Sequence, residues 1–391
     1  MSLIVKKFGG TSVAGKERML NAAEIIKKTY LKNNKIVVVV SAQGNTTDEL
    51  LEKAWQININ PSKRELDVLL CAGEQISMAL LAIALEKLGI EAISLTGWQA
   101  GFKTCKSYGN ARIEGIYPER ILKELSKNKV VIVAGFQGIN DSEDLTTMGR
   151  GGSDTSAVAL AAALNADECR IYTDVDGVYT ANPHVVPNAE FLEIVSYGDM
   201  IKLASLGTQV LNKRSVEIAQ KYGVEISVLS SLNRKNPQTT VKEVESINSK
   251  TIKGIALDNS LFLIHMDKSE KKRELFERFS EEKITVSNVI CNKNEINFII
   301  NKSHLNVIYG ILSGINFNIN SDISKISVVG LGKKSHMEIA DQMLEALKDI
   351  SIEFVLIEDS ISVIVSMEES EIAVRRIHDK FFTKNCVKVN E

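Results

Sequence analysis

The sequence has few of the residues that mark a disulfide-stabilised or metal-binding protein. Its 391 residues include only 5 cysteines and 5 histidines. The cysteines are scattered and never in a CxxC spacing: Cys71, Cys105, Cys169, Cys291 and Cys386. This usage predicts free thiols in a reducing compartment rather than a disulfide framework or a zinc site.

Long apolar runs and an excess of charge of one sign are also absent. No apolar run approaches the ~20 residues that cross a bilayer. The amino-terminal segment places its apolar residues before its lysines, the reverse of a signal peptide. The formal net charge is -2, which gives no bulk attraction to nucleic acid or to an anionic membrane. We therefore expect a cytoplasmic protein without a nucleic-acid or membrane partner.

The first part of the chain alternates between apolar strands and helices. The runs Lys35–Val40 and Val130–Phe136 are typical of buried parallel strands, and helical periodicity lies between such runs. This alternation predicts an α/β fold with an open, mainly parallel sheet covered on both faces. Ligands of such sheets bind beyond the carboxyl ends of the strands, and the polar, glycine-containing loops follow strands here.

The last part of the chain has a different, repeated order. It begins after a polar segment near Pro237–Lys250, which predicts a linker. The order strand, helix, strand, strand occupies Leu261–Asn301 and recurs over Ile326–Ser366. This order is typical of small α+β modules, so we expect two of them in tandem. Neither contains a cluster of catalytic side chains.

Two glycine loops in the first part suit an anion. Lys7–Ser12 follows the first strand and offers a cation, two backbone amides and two hydroxyls, a set that suits a polyphosphate. Thr147–Gly152 leads into an alanine-rich helix that Ser153 or Asp154 is expected to cap, and Arg150 suits a carboxylate or phosphate. For each loop alone, an ordinary tight turn is about as good an explanation.

Acidic residues occupy two further positions of interest. Glu74 has strongly apolar flanks in a helix, so we expect it to be buried with a cationic partner or ligand; a solvated surface charge is the alternative. Asp174–Gly177 begins like a calcium loop but lacks the glutamate at the twelfth position, and an Asx-rich turn explains it equally. A lysine, an arginine-bearing helix end and acidic residues at neighbouring strand ends together suit phosphoryl transfer.

In their order along the chain, these motifs resemble those of the aspartokinases, members of the amino-acid kinase family with two carboxyl-terminal ACT modules. The motifs are Lys7–Val13, Val40–Ala42 with Thr47 and Asp48, Gly73–Glu74, Gly135–Gly138, Gly149–Asp154, Thr173–Tyr179 and Arg214–Glu217. The resemblance implies a three-layer α/β/α kinase domain with a mainly parallel sheet over 1–245. It also implies two ferredoxin-like α+β ACT modules, one over 260–322 and a discontinuous one over 250–259 plus 323–391.

The resemblance further implies the reaction and the partners. Aspartokinases use ATP with Mg²⁺ to phosphorylate the side-chain carboxylate of L-aspartate to 4-phospho-L-aspartate, the first step of lysine, threonine and methionine synthesis. A lysine or threonine effector at the ACT modules and a homodimer or larger homo-oligomer are expected. Two alternatives stay open: a catalytically weak regulatory subunit that senses an amino acid, and a kinase for another acidic amino acid such as acetylglutamate or glutamate.

Site residues follow from the same resemblance. Those implied in catalysis are Lys7, Gly9, Gly10 and Asp154. Those implied in the aspartate pocket are Ser41, Thr47, Glu74, Arg150 and Ser153. Those implied in nucleotide binding are Lys7, Phe8, Gly9, Gly10, Thr173, Asp174, Tyr179, His184 and Gln209.

The implied roles divide between the two substrates. Lys7, oriented by Asp154, contacts the transferring phosphoryl group, while Arg150 holds the α-carboxylate of aspartate and Glu74 its α-ammonium. No general base is required, because the attacking carboxylate is already ionised at pH 7.

Two nucleotide positions depart from the family pattern. His184 and Gln209 stand where relatives commonly have a basic residue and a lysine. Both departures lower the positive charge expected near the ATP phosphates.

Overall fold

The chain folds into two compact units. The computed structural model describes residues 1–208, 210–232, 237–244, 252–267, 272–282, 284, 286–291, 295–330 and 335–383. The first unit comprises Met1–Val178, Phe191–Ala204 and Gln209–Glu245, and the second comprises Tyr179–Glu190, Ser205–Thr208 and Ser246–Glu391. One cut near residue 245 therefore does not separate them, because two earlier segments belong to the second unit.

Two sheets form the framework of the first unit. Its strands are β1 (Leu3–Phe8), β2 (Lys35–Val40), β3 (Ala92–Leu95), β4 (Phe102–Thr104), β5 (Ile113–Ile116), β6 (Val130–Ala134), β7 (Gln137–Ile139), β8 (Leu145–Thr147), β9 (Glu168–Thr173), β10 (Ile194–Ser196), β11 (Ile226–Ser230) and β12 (Thr239–Lys242). The large sheet has the order β10-β12-β11-β9-β1-β2-β6-β3 and the small one β5-β4-β7-β8. All neighbours in the large sheet are parallel except β11 and β12. The predicted mainly parallel sheet is confirmed.

Helices cover both faces of the large sheet, as predicted. They are α1 (Gly15–Tyr30), α2 (Thr46–Ile57), α3 (Lys63–Lys87), α4 (Glu119–Leu125), α5 (Gly152–Ala163), α6 (Tyr197–Ser205) and α7 (Lys213–Tyr222). On one face, Phe8 and Val38 pack with Ile26 of α1 and Leu81 of α3 in a single apolar core. On the other face, α5 packs on β1, β2 and β9. The first unit is thus a three-layer α/β/α structure.

Strand alternation gives the two adjacent lysines of β1 different surroundings. Successive side chains of a strand point to opposite faces of the sheet. Lys6 shares the α1 face with Phe8 and is fully buried, where its Nζ donates to Thr29 Oγ1 (2.6 Å) and to the carbonyl of Ile25 (3.1 Å). Lys7 faces α5 instead. The lysine pair is therefore not a solvated charge run.

The long helix α3 corrects our statement about apolar runs. By length and composition it could cross a membrane, yet 56% of its most apolar window is buried within the protein. Its apolar residues include Leu81 and Leu85, which belong to the core shared with α1. Buried Asp67 and Glu74 lie in the same helix. These features fit the core helix of a globular domain.

The predicted linker is partly wrong. Within Pro237–Lys250, Thr239–Lys242 form β12 of the large sheet, with Thr239 and Val241 completely buried. The Thr239 hydroxyl also accepts the N–H of Val178 and donates to the carbonyl of Leu192. A polar composition concealed a strand because its outward positions are polar while its inward ones lie against the domain.

The second unit has two further four-stranded sheets. Its strands are β13 (Gly254–Asp258), β14 (Leu261–Asp267), β15 (Ser287–Cys291), β16 (Glu295–Asn301), β17 (Phe317–Asn320), β18 (Ile323–Val329), β19 (Ile352–Ile357) and β20 (Ile361–Ser366), and its helices are α8 (Lys272–Glu281), α9 (Leu305–Ile311), α10 (His336–Ala346) and α11 (Ser370–Phe382). The sheet orders are β15-β16-β14-β17 and β13-β18-β20-β19. Each predicted repeat is present. The sequence reading had missed α9, β17 and α11, which extend the repeats.

Replacement of Lys6 by methionine is expected to stabilise the first unit at neutral pH. Burial, with Arg170 nearby, lowers the pKa of Lys6 from 10.5 to about 7. Between those values the unfolded chain holds a proton that the folded protein lacks, so this lysine destabilises the fold increasingly as pH falls from 10.5 towards 7. Exchange of a buried charge for an apolar side chain of similar shape gains about 1–4 kcal/mol where packing is kept.

Urea unfolding of Lys6→Met and wild type at pH 6.5 and pH 9.5 measures this effect. The variant should be more stable at pH 6.5, and its advantage should shrink at pH 9.5. Thr29 Oγ1 keeps a bond to the Ile25 carbonyl without the lysine, so the substitution leaves that hydroxyl satisfied. An advantage that is equal at both pH values would contradict the assignment of a perturbed Lys6.

Candidate functional site

A buried ion pair joins the end of β1 to the first turn of α5. Lys7 Nζ lies 2.6 Å from Asp154 Oδ1, and both residues are buried. Removal of either partner would leave a buried charge uncompensated. The pair therefore fixes the lysine head at the carboxyl edge of the sheet, beside Gly9, whose added Cβ would lie 3.4 Å from Lys7 Nζ.

The turn before α5 is built on glycine and not on a side-chain cap. Gly151 is the N-cap residue in the left-handed conformation (φ 68°), and no side chain caps the helix. A Cβ there would also lie 2.3 Å from Asn212 Nδ2, so only glycine fits. The prediction that Ser153 or Asp154 caps α5 was wrong, because both lie inside the first turn, where Asp154 pairs with Lys7.

The turn after β1 has one of its two predicted amides already engaged. The N–H of Gly9 donates to the carbonyl of Tyr172 at 3.1 Å, so it is not a free donor for phosphate, which corrects our expectation. Gly10 approaches the end of β2 closely, since an added Cβ would lie 2.7 Å from the Ala42 carbonyl oxygen. The Phe8 side chain is fully buried and stacks on Tyr172. The side chain belongs to the core, so a nucleotide contact of Phe8 would involve its backbone and stays a prediction.

Glu74 is a buried carboxylate with an unused oxygen. The residue is 4% exposed, and its Oε1 accepts the N–H of Ala42 at 3.0 Å. Its Oε2 has no hydrogen-bond partner among the described residues. Burial raises the pKa of Glu74 from 4.5 to about 7, against the effect of the Ala42 hydrogen bond. A buried carboxyl with an unused oxygen suits a cationic group of a ligand, and this role of Glu74 stays a prediction here.

The other predicted aspartate-pocket residues lie at the end of β2 and at the starts of α2 and α5. Ser41 directly follows β2 and is half-buried, and its N–H donates to the carbonyl of Phe8 at 3.2 Å. Thr47 is half-buried in the first turn of α2. Ser153 is buried in α5, and Arg150 is exposed in the glycine turn. These residues thus come from the end of β2, the first turn of α2, the turn before α5 and its first turn, and from α3 for Glu74. Their joint role in one aspartate pocket stays a prediction.

The predicted nucleotide residues are divided between the two units. Thr173 ends β9, the neighbour of β1 in the sheet, and its Oγ1 donates to Asp174 Oδ1 at 3.1 Å. Tyr179 and His184 belong to the second unit, where the His184 N–H donates to Asn182 Oδ1 in a local turn. Gln209 lies outside the described residues. Roles for these residues in nucleotide binding stay predictions.

Two charged residues that support the site were not among the predicted site residues, although Arg214 belongs to one of the motifs that carry the family resemblance. Asp67, fully buried in α3, accepts the N–H groups of Gly109 and Thr147 and the Thr147 hydroxyl. Arg214, at the start of α7, donates to the carbonyls of Ala111 and Met148. A usable signal existed for Asp67, which lies two helical turns before Glu74 and so on the same face of one helix.

Clustered metal ligands and disulfides are lacking in the part of the chain that the structure describes. No three His, Cys, Asp or Glu side chains come together there as a metal site. Cys71, Cys105, Cys169 and Cys291 are free thiols, and Cys386 lies outside the described residues.

Comparison with known proteins gives the same fold and a close set of relatives. Residues 2–230 match the amino acid kinase family, and residues 326–381 match an ACT domain. Aspartokinase from Corynebacterium glutamicum is 42% identical, over 97% of this chain and 96% of its own length.

Two crystal structures of E. coli aspartokinase III share the architecture at 20% identity. The complex with aspartate and ADP has a TM-score of 0.80 and covers 97% of this chain and 100% of that one. The complex with lysine and aspartate has a TM-score of 0.73 and covers 97% and 99%. Full-length identity above 40% to an aspartokinase, together with the matched kinase and ACT regions, establishes that the chain belongs to the aspartokinases of the amino acid kinase family.

Proposed function

We propose that the chain transfers the γ-phosphoryl group of ATP to the side-chain carboxylate of L-aspartate and releases 4-phospho-L-aspartate and ADP. The observation that supports this most directly is the unpartnered oxygen of buried Glu74, on the same edge of the sheet as the Lys7–Asp154 ion pair. An amino acid needs an anionic partner for its ammonium, and phosphoryl transfer needs a fixed cation.

On the acceptor side, the aspartate is held by its two α-groups. Glu74 Oε2 binds the α-ammonium, which supplies the missing partner of that oxygen. Arg150, exposed in the glycine turn, binds the α-carboxylate with its planar guanidinium. Ser41, Thr47 and Ser153 line the pocket. Fixing both α-groups leaves the side-chain carboxylate free to point at the phosphate.

On the donor side, Lys7 balances the charge on the transferring group. Its ammonium is already desolvated and oriented by Asp154, so little reorganisation is needed when negative charge develops. Gly10 brings bare backbone close to the same position. Thr173 and Asp174, at the end of the neighbouring strand, approach the nucleotide. The nucleophile is an ionised carboxylate, and therefore no residue has to remove a proton from it.

Mg²⁺ enters this scheme with ATP as part of the substrate. Magnesium in kinases usually keeps several waters and binds nucleotide phosphates with only one or two protein carboxylates. The site fits that pattern, since Asp174 is exposed at the end of β9 and no larger ligand cluster exists among the described residues. Asp174 would hold the ion beside the phosphates.

The two ACT sheets suit a regulatory role, with lysine or threonine as effector and a homodimer or larger homo-oligomer as the assembly. The sheet of β14–β17 supports a first module at 260–322, and the pairing of β13 with β18 supports a second made from 250–259 and 323–391. Residues 1–245 form the catalytic region, with Tyr179–Glu190 and Ser205–Thr208 packed in the second unit. A cytoplasmic location is consistent with the free thiols.

Substitution of Lys7 by alanine is expected to lower kcat by roughly 10²–10³, the usual cost of a lost transition-state donor. A coupled ADP-release assay with saturating aspartate and ATP measures it. The exposed Lys16→Ala in α1 is the matched control and should keep wild-type turnover. Near-normal turnover of a folded Lys7→Ala enzyme would remove Lys7 from the mechanism.

The pH dependence of aspartate binding should report Glu74. Its pKa of about 7 means that the carboxyl becomes neutral as pH falls from 8 to 6, and a neutral carboxyl cannot form an ion pair with an ammonium. KM for aspartate should therefore rise as pH falls through 7. Glu74→Gln should have a KM roughly 10- to 100-fold higher, as expected for loss of a charged hydrogen bond, with a flat profile in this range. A Glu74→Gln enzyme that keeps the wild-type profile would contradict this role.

The reaction itself is tested by trapping the acyl phosphate with hydroxylamine. Purified enzyme with MgATP should give hydroxamate from L-aspartate, and little from L-glutamate or N-acetylglutamate. Repeating the assay with lysine and with threonine identifies an effector. Hydroxamate from a different acidic amino acid alone would favour that acceptor, and no hydroxamate with effector-dependent thermal shifts would favour a regulatory subunit.

A further inference from the structure

We infer that Arg214 is a positioning residue for aspartate binding: it fixes the turn that bears Arg150 without touching the substrate itself. The inference rests on the proposed role of Arg150 as the partner of the α-carboxylate. Arg214 lies in the first turn of α7 (Lys213–Tyr222), remote in sequence from the turn Thr147–Gly151 that precedes α5.

The guanidinium of Arg214 joins two loops. Its Nη1 donates to the carbonyl of Met148 at 3.2 Å and to that of Ala111 at 3.0 Å. Its Nη2 donates to Asn110 Oδ1 at 3.2 Å. Met148 lies two positions before Arg150, so this contact fixes the backbone that presents the arginine. The guanidinium presents its donors in a fixed planar fork that reaches two loops at once, whereas a lysine ammonium is a compact point charge whose donors all lie on one atom.

Asn212, which caps α7, holds the same turn. Its Oδ1 accepts the N–H of Arg214 at 2.9 Å, and its Nδ2 donates to the carbonyl of Arg150 itself at 3.0 Å. Gly151 lies directly against the Asn212 side chain. The first turn of α7 therefore holds the turn that bears Arg150, through hydrogen bonds from Asn212 and from the charged side chain of Arg214.

Asp67 fixes the opposite side of the turn. Its carboxylate accepts from Thr147 and from Gly109 of the β4–β5 loop, and Ala111 N–H donates to the Thr147 carbonyl at 2.8 Å. The turn and the β4–β5 loop are thus bound to one another and to two helices. The bonds from Thr147 to the fully buried Asp67 are shielded from competition by water, whereas those of Arg214 are only partly buried or exposed.

Loss of the Arg214 anchor should affect one substrate far more than the other. A displacement of about 1 Å at a clamping group can cost 10²-fold, so Arg214→Ala should raise KM for aspartate roughly 10- to 100-fold. The KM for ATP should change by less than about threefold, because Lys7 is held by Asp154 and not by this turn. Arg214→Lys should give an intermediate KM for aspartate.

The matched control is Lys213→Ala. Lys213 is the neighbouring cation in the same first turn, but its Nζ lies 3.6 Å from Glu217 Oε1, on its own helix. This variant should keep both KM values. If Arg214→Ala does not fold, as judged by thermal melting, Arg214→Lys provides the same comparison with the charge retained.

A double-mutant cycle separates positioning from a general structural role. If Arg214 acts through Arg150, the variant Arg150→Ala with Arg214→Ala should have the KM for aspartate of Arg150→Ala alone, within about threefold. The inference would be overturned if the rises in KM for aspartate of the two single variants multiply in the double variant, or if Arg214→Ala raises the KM values for aspartate and ATP equally. Neither result would contradict the proposed binding of the α-carboxylate by Arg150. An unchanged KM for aspartate in Arg150→Ala would instead overturn the assignment of Arg150, and the positioning role with it.

Discussion

The ion pair between Lys7 and Asp154 is the contact on which the rest of the site depends. It links Lys7, the penultimate residue of β1, to the first turn of α5, and so joins the sheet to the helix whose preceding loop bears Arg150. Both charges are buried, so the pair requires that β1 and α5 keep their relative position. The proposed contacts of Arg150 and Ser153 with aspartate depend on this position of α5.

The site keeps its buried charges in three different states. The carboxylate of Asp67 accepts hydrogen bonds from backbone N–H groups and from the Thr147 hydroxyl, and its role is to hold the loops that contain these donors. Asp154 is balanced by one lysine. Glu74 is left with an unpartnered oxygen, which costs stability in the free protein. Such an imbalance is expected where binding energy from a ligand completes the site. Asp67 and Asp154, by contrast, have hydrogen-bond or ion-pair partners within the protein.

Much of the architecture could be predicted from pattern alone. The apolar run Val130–Ala134 and the β-branched run Lys35–Val40 became parallel strands of the large sheet, because their length and composition fit burial on both faces. The repeat of strand and helix at the carboxyl end also formed as expected. The small sheet β5-β4-β7-β8 was not anticipated, since strands of three or four residues are too short for a periodic signal.

The sequence by itself determined which residues could do chemistry. Lys7 is near the end of a strand, Arg150 and Asp154 are at the start of a helix, and Glu74 is within an apolar helix. Loops at the carboxyl ends of parallel strands must lie along one edge. Only the tertiary structure decided how each is used. Because side chains alternate along β1, Lys6 lies in the core and Lys7 faces α5. The N–H of Gly9 donates to the carbonyl of Tyr172 and is therefore engaged within the protein. It also brought Arg214 to the turn of Arg150. These outcomes depend on contacts between residues far apart in the chain, which no local pattern of charge or hydrophobicity specifies.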